Sequence, residues 1–238
     1  MSQSPEQAIG ATDISVIVPV LNEAEVIADC LAQFEVHDDV QVLVVDGGSE
    51  DDTETIVKES TVGEWVTSEC AGRARQMNTG ANQAAGQVFV FLHADCILPA
   101  TWVSDVTSAL TSSDTVGGRF RLGISEDTLS FRLIAFFSTL RSRLLGITYG
   151  DQAIFVRRVA FETVGGFPSR KIFEDSEFCD SISRHGRFVM VDTKVTSSSR
   201  RWRAWGVWRT VLRMWVLRVL YTLSVSDERL SRMYRNVR

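Results

Sequence analysis

Short β-branched runs alternate with amphipathic stretches through the first hundred residues. ISVIVPV (Ile14 to Val20) and VQVLVVD (Val40 to Asp46) are apolar at almost every position rather than every second one. That pattern predicts strands buried on both faces. EWVTS predicts a weaker third strand, and QVFVFLHAD (Gln87 to Asp95) a fourth. Helices are expected between them, from about Glu23 to Phe34, from Asp51 to Glu59 with Ser49 or Asp51 as cap, and from Arg73 to Ala85. Strands alternating with helices predict an α/β fold around a mostly parallel central sheet. Ligands of such sheets bind beyond the carboxyl ends of the strands. Those ends carry Asn22-Glu23, Asp46-Gly47-Gly48-Ser49 and His93-Ala94-Asp95.

The second half is less regular. Val116 to Leu122 predicts a strand, Leu129 to Leu145 a helix with an apolar face, and Glu174 to Arg184 another helix. Tyr149 to Arg158 predicts a loop running into a strand. Ala204 to Leu223 has the length of a membrane span but carries Arg209, Arg213 and Arg218. Each Arg at a bilayer centre costs about 2.5–3.5 kcal/mol, which argues against spanning. Val207, Trp208, Val211, Leu212, Trp215, Val216, Val219 and Leu223 instead form the stripe of an amphipathic helix. The expected organisation is a flexible N-terminus (1–12), one α/β domain (13–202) and a basic amphipathic tail (203–238).

Composition adds one asymmetry. The chain has a net charge of −5, yet Arg200 to Arg238 holds ten Arg and two acids, leaving an acidic body. Such a split points to an anionic surface as partner. Nucleic acid and a phospholipid headgroup layer both answer that description; the expectation here is membrane contact and no nucleic-acid partner. Cys30, Cys70, Cys96 and Cys179 form no CxxC pair, so neither a zinc finger nor a redox motif is expected, and a reducing compartment is. No basic region followed by an apolar one opens the chain. Cytoplasmic residence is expected, with the tail allowing peripheral contact at the inner face of a membrane. Packing of the tail on the body or in a homodimer is the alternative.

The strand-end residues belong to an ordered set: IVPVLNE, VVDGGSEDDT, GRARQMNTGA, FLHAD, GGF and FEDSEF. Together they resemble family-2 glycosyltransferases over roughly Ile14 to Trp202. FLHADCILP, YGDQAIFVRR and the C-terminal LRVLYTLSVSDERLSRMYRNVR resemble more closely a small bacterial subgroup associated with radical-SAM and selenium-protein genes. The resemblance implies the Rossmann-like GT-A fold and inverting transfer of a single sugar from a nucleotide-sugar, with UDP the expected nucleotide. Transfer would be assisted by Mn2+ or Mg2+, and the acceptor is a lipid or a small molecule.

The resemblance also implies roles for residues. Pro19, Asn22, Glu23, Asp46, Gly48 and Ser49 would line the nucleotide site, where a strand-end carboxylate can accept from a nucleobase N–H or a ribose hydroxyl. Arg73, Arg75, Asn78 and Ala94 would complete it. Two cations at a helix start oppose the helix dipole, and a diphosphate would explain them. Asp95 stands at the second acid of an Asp-x-Asp metal motif, and His93 at the first. Asp175 matches the base, since inverting transfer needs one group to take the acceptor proton. Gly150, Asp151, Gln152 and Glu174 would face the acceptor, while Arg201 and Trp202 match part of a Gln-x-x-Arg-Trp motif that binds diphosphate and acceptor.

Simpler structural readings exist for each. On those readings Asp46 closes a strand-end turn, Glu23 and Asp175 are first-turn acids, and Arg73, Arg75 and Asn78 form a solvated face. A nucleotidyltransferase would need a Gly-rich basic loop after the first strand, where Leu21-Asn22-Glu23 stands instead. A Rossmann oxidoreductase or methyltransferase would need G-x-G-x-x-G there. A non-catalytic adaptor would explain the tail but not the acids at three strand ends.

Overall fold

The computed structural model describes residues 9–235, apart from the side chains of Leu145, Arg201, Ala204 and Arg235. The expected flexible N-terminus falls mostly on residues 1–8, outside the described residues.

The strands are β1 (Ile14–Val20), β2 (Gln41–Asp46), β3 (Gly63–Thr67), β4 (Val88–Phe91), β5 (Cys96–Ile97), β6 (Thr115–Ile124), β7 (Ile154–Arg157) and β8 (Arg187–Ser197). The helices are α1 (Ile27–Ala32), α2 (Thr53–Glu59), α3 (Arg73–Gln83), α4 (Trp102–Ala109), α5 (Leu129–Leu145), α6 (Arg158–Val164), α7 (Glu174–Ile182), α8 (Arg200–Trp205), α9 (Val207–Thr222) and α10 (Asp227–Arg235). The eight strands form one sheet in the order β3-β2-β1-β4-β7-β6-β8-β5. Pairing is parallel for β3-β2-β1-β4 and for β6-β8, and antiparallel for β4-β7, β6-β7 and β5-β8.

Both faces of the central strands are buried, and alternate residues feed two cores. Val16, Val18, Val42, Val44, Val88 and Val90 face one side, with Leu31 of α1, Val57 of α2 and Trp102 of α4. Ile17, Leu43, Val45, Phe89 and Phe91 face the other, with Met77 of α3, Phe161 of α6 and Phe178 of α7. Helices on both faces explain why the strand sequences lack period-2 alternation. Pro19 is tolerated in a central strand because the β1–β4 pairing ends at Ile17 and Phe91.

From β1 the chain builds outward to β2 and β3, then returns to the other side of β1 with β4. This reversal is the switch point at which doubly wound sheets open a ligand crevice. The carboxyl ends of β1 and β4 meet there, and they carry Asn22-Glu23 and His93-Ala94-Asp95.

Several boundaries differ from those expected. The first helix begins at Ile27, not Glu23, because Asn22 is left-handed at φ 55° and the Glu23 and Ala24 N–H groups donate to the Thr53 and Asp51 side chains. The fourth strand ends at Phe91, and His93 to Asp95 form the turn into β5. The 17-residue α5 matches its expected bounds. Helices α4 and α6, strand β8 and the edge strand β5 complete the architecture. The tail is three helices, and Leu217 of α9 and Leu230 of α10 pack on Ile172 and Phe173 of the body.

Candidate active site

Hydrogen bonds between the β1 and β2 ends shape the first part of the site. Asp46 is buried, and its carboxylate accepts from the Gly48 N–H (2.8 Å), the Ser49 N–H (3.0 Å) and the Ser49 hydroxyl (2.6 Å). Gly48 takes φ +98°, which a side chain would strain. The Asn22 N–H donates to Ser49 Oγ (2.9 Å), and the Glu50 N–H donates to Asn22 Oδ1 (2.8 Å). The simpler reading of this segment is therefore present: Asp46 closes its own turn at the carboxyl end of β2. Glu23 pairs with Arg200 at 3.0 Å, and the same guanidinium reaches Glu25 at 2.8 Å.

Gln76 takes no role from the motif GRARQMNTGA that contains it. It is buried on α3, and its amide donates to the carbonyls of Val20 (2.7 Å) and Val45 (2.8 Å), tying the ends of β1 and β2 together. A Cβ on Gly47 would meet this amide at 3.0 Å, so glycine there admits it. A sequence signal was available: a Gln on the otherwise apolar inward face of a helix needs partners. Gln76→Ala is expected to cost about 1–3 kcal/mol, the penalty for a buried acceptor left short of donors. Urea denaturation of wild type and variant measures it, and an unchanged midpoint would remove Gln76 as the tie.

Residues of α3 divide by partner. The Arg73 guanidinium lies 3.3 Å from Glu174. Burial alone would lower its pKa, but Glu174 and, less strongly, Tyr234 and Asp175 raise it further above its ordinary value. The cation at the start of α3 thus has a protein partner. Tyr234, brought by α10, also hydrogen-bonds Arg73. Nothing in the sequence relates residues so far apart. Asn78 exchanges two hydrogen bonds with the backbone of Phe167, each 2.9 Å, and so pins the Gly165-Gly166-Phe167 loop. Arg75 is exposed and contacts Cys70 Sγ.

Asp95 and His93 follow β4, with the buried Ala94 between them. Among the described residues, His93, Asp95 and Cys96 offer ligand atoms within 4.8 Å of one another. The Cys96 thiol is buried and donates weakly to Asp95 Oδ1 at 3.6 Å. Burial, Asp95 and Asp151 push its pKa well above the ordinary thiol value. Without a metal it is a neutral thiol, and the nitrogen and oxygen donors of the group are one imidazole and one carboxylate. Such a pair, with open positions for diphosphate oxygens and water, fits Mn2+ and, less well, Mg2+.

Two of the residues expected on the acceptor side, Gly150 and Asp175, lie close to His93. Asp175 opens α7 beside Glu174, both buried, after Phe173 at φ 63°. The Asp175 carboxylate accepts from the Gly150 N–H (2.5 Å) and the Ser176 N–H (2.7 Å). Burial and, next, Glu174 raise its pKa to about 7, although Arg73 and these two N–H groups oppose the rise. A Cβ at Gly150 would fall 2.5 Å from His93 Nε2 and 3.4 Å from Asp175 Oδ2. Glycine thus lets the loop pass between the imidazole and the carboxylate and brings them together. Gln152 is buried and donates to the Phe120 carbonyl (3.3 Å), so it holds the loop rather than facing the cleft. The Ser198 N–H donates to the Asp95 carbonyl (2.9 Å), setting the Ser-Ser-Arg-Arg-Trp segment beside Asp95. The Trp202 ring meets Phe131 edge-on at 6.4 Å. The Arg201 side chain lies outside the described residues.

Known proteins share this architecture. The sequence model described as Glycosyl transferase family 2 matches residues 15–172. Glycosyltransferase AglE of Haloferax volcanii is 32% identical over 176 residues, covering 67% of this chain. The chain spans 57% of the length of that relative. Among solved structures, mannosyltransferase PcManGT from Pyrobaculum calidifontis, in complex with GDP-Man and Mn2+, superposes with TM-score 0.67 at 21% identity, covering 97% of this chain and 76% of that one. Glucosyl-3-phosphoglycerate synthase from Mycobacterium tuberculosis, with Mn2+, UDP and glucosyl-3-phosphoglycerate, gives TM-score 0.57 at 19% identity, covering 95% and 88%. S. aureus TarS 1–349 with UDP-GlcNAc gives 0.62 at 19% identity, covering 78% and 58%. The structural neighbours establish the fold, and the match of the family model over most of the chain establishes the family: this chain belongs to glycosyltransferase family 2.

Proposed function

We propose that the protein transfers one sugar from a UDP-sugar to an acceptor hydroxyl, with inversion at the anomeric carbon. The observation that carries this reading is that Gly150 passes between His93 Nε2 and the Asp175 carboxylate, 2.5 and 3.4 Å from where its Cβ would stand, which supports a metal-binding residue and a buried base in one cleft. Asp175 takes the proton of the acceptor hydroxyl as its oxygen bonds to the anomeric carbon. The bond from that carbon to the diphosphate breaks, and its electron pair leaves with UDP. Burial favours this base by raising its proton affinity toward neutral pH. Glu23, Asp46 and the Asn22–Ser49 clamp hold the nucleoside end, with Pro19, Gly48 and Ala94 shaping its floor. Arg75 and Arg201 are the cations for the diphosphate, since Arg73 is engaged by Glu174. Asp95 and His93 would hold a divalent ion, which neutralises charge developing on the leaving diphosphate. Gly150, Asp151 and Trp202 border the acceptor.

UDP is favoured over other nucleotides because two of the similar structures carry it, although a third carries GDP-Man. Thermal unfolding tests the reading. UDP with Mn2+ is expected to raise the midpoint by several degrees, because a ligand at about 100 times its Kd adds about 2.7 kcal/mol. UDP with EDTA should do much less. No shift with UDP, GDP or any other nucleoside diphosphate would overturn the donor site.

A further inference from the structure

Two helices of this fold carry their apolar residues on the wrong side. On α5, Leu129, Leu133, Phe136, Phe137, Leu140 and Leu144 are all exposed, by 38–73%. On α9 and its C-cap, Trp208, Leu212, Trp215, Val216, Val219 and Leu223 are exposed by 42–70%. The two sets share one spacing: i, i+4, i+7, i+8, i+11, i+15. At 3.6 residues per turn each set falls within about 100° of arc, a single stripe. The opposite faces meet the body. On α5 that inward face is largely small and polar, with Ser138, Thr139 and Ser142 buried. Its polarity has a reason, since the buried Arg119 donates to Ser142 Oγ (2.6 Å) and to the Ser142 carbonyl (2.8 Å). On α9 the inward residues are Thr210 and Leu217. The inward faces are thus satisfied, and the outward faces need a partner. Twelve large apolar side chains in two stripes exceed the scattered exposure normal for a monomer.

We propose that these two stripes are a docking surface for an anionic phospholipid bilayer, lying in its interfacial layer rather than crossing it. Among the described residues no helix is long and apolar enough to cross a membrane. Charge selects the occupant. Exposed Arg132 and Arg143 flank the stripe of α5, and exposed Arg209 flanks that of α9. The ion pairs of Arg132 with Asp127 and of Arg143 with Asp192 are surface pairs of small worth, so they leave these cations available to headgroups. Trp208 and Trp215 suit the headgroup level.

The surface also borders the site. Helix α5 runs through Gly146 to Tyr149 and Gly150. Tyr149 stacks on Phe173 (5.9 Å), and Phe173 meets Tyr221 of α9 (5.1 Å). Both outward-facing helices are therefore anchored on the loops that carry Gly150 and Asp175. On the transferase reading these loops border the acceptor, so a bilayer held by the two helices would lie near it.

The test is co-sedimentation of the full chain with vesicles of phosphatidylcholine alone and of phosphatidylcholine with phosphatidylglycerol. Two double variants, Phe136→Glu with Phe137→Glu and Trp215→Glu with Val219→Glu, change only exposed positions. Wild type is expected to bind the anionic vesicles, less the neutral ones, and less again at high salt. Each double variant should weaken binding at least about tenfold, a change of about 1.4 kcal/mol. Indifference of wild type to both vesicles overturns the proposal. So does vesicle binding that neither variant alters, or a wild-type dimer that the variants dissociate. The UDP thermal shift is read on the same samples. Vesicle binding without a UDP shift overturns the transferase reading and leaves the docking surface standing, and a UDP shift without vesicle binding does the reverse.

Discussion

Replacing Asp175 by Asn is expected to lower turnover about 10²–10⁴-fold, the usual contribution of a general base, with donor affinity nearly intact. The amide keeps the size of the carboxylate and one acceptor for the Gly150 N–H. It removes the proton acceptor and nothing else near the nucleotide. Turnover within a few-fold of wild type would exclude Asp175 as the base. A pH profile sharpens the test. Burial and Glu174 raise the Asp175 pKa to about 7, against about 3.9 in the unfolded chain. The ionised, active form therefore accumulates only above neutrality, and kcat/KM should climb through an acid limb near pH 7. Glu174→Gln removes the neighbouring like charge and should move that limb to lower pH, whatever it does to the maximum rate. Stability runs the other way. The folded state binds the extra proton between about pH 4 and 7, so this group's contribution declines as pH rises across that window.

Asp95→Ala is expected to abolish transfer and to abolish the part of UDP binding that depends on a divalent ion. Asp95 supplies the carboxylate of the only group of potential ligands found among the described residues, and the Cys96 thiol is a soft donor that would replace a hard oxygen poorly. An imidazole alone would hold Mn2+ weakly, and hard oxygen ligands dominate such sites. Calorimetric titration of UDP into wild type and variant, each with Mn2+ and with EDTA, separates the two losses. Full activity in the variant, or in wild type freed of metal, would remove the metal from the reaction.

Local pattern carried the strands that build the crevice. Ile14 to Val20 and Val40 to Asp46 are apolar throughout because both faces of the sheet are covered, so strand type, burial and polar strand ends were legible together. Helix α5 was legible to the residue, since Thr128 caps it and Gly146 ends it in the left-handed conformation. The ordered motifs also marked Asp46, Asp95 and Asp175, because each closes or opens a regular element and needs no distant partner to be noticed. What each group touches was decided only by the fold. Arg73 and Glu174 are a hundred residues apart, Asn78 and Phe167 nearly as far, and their pairings arise where α3 and the α7 loop meet over the sheet. The meeting of His93, Gly150 and Asp175 is of the same kind, since β4, the loop after α5 and α7 share no local signal. The direction of the amphipathic helices was the last thing decided. Periodicity identifies an apolar stripe but not whether it faces the core. On α5 the buried guanidinium of Arg119 claimed the polar face, and the apolar face was left outward.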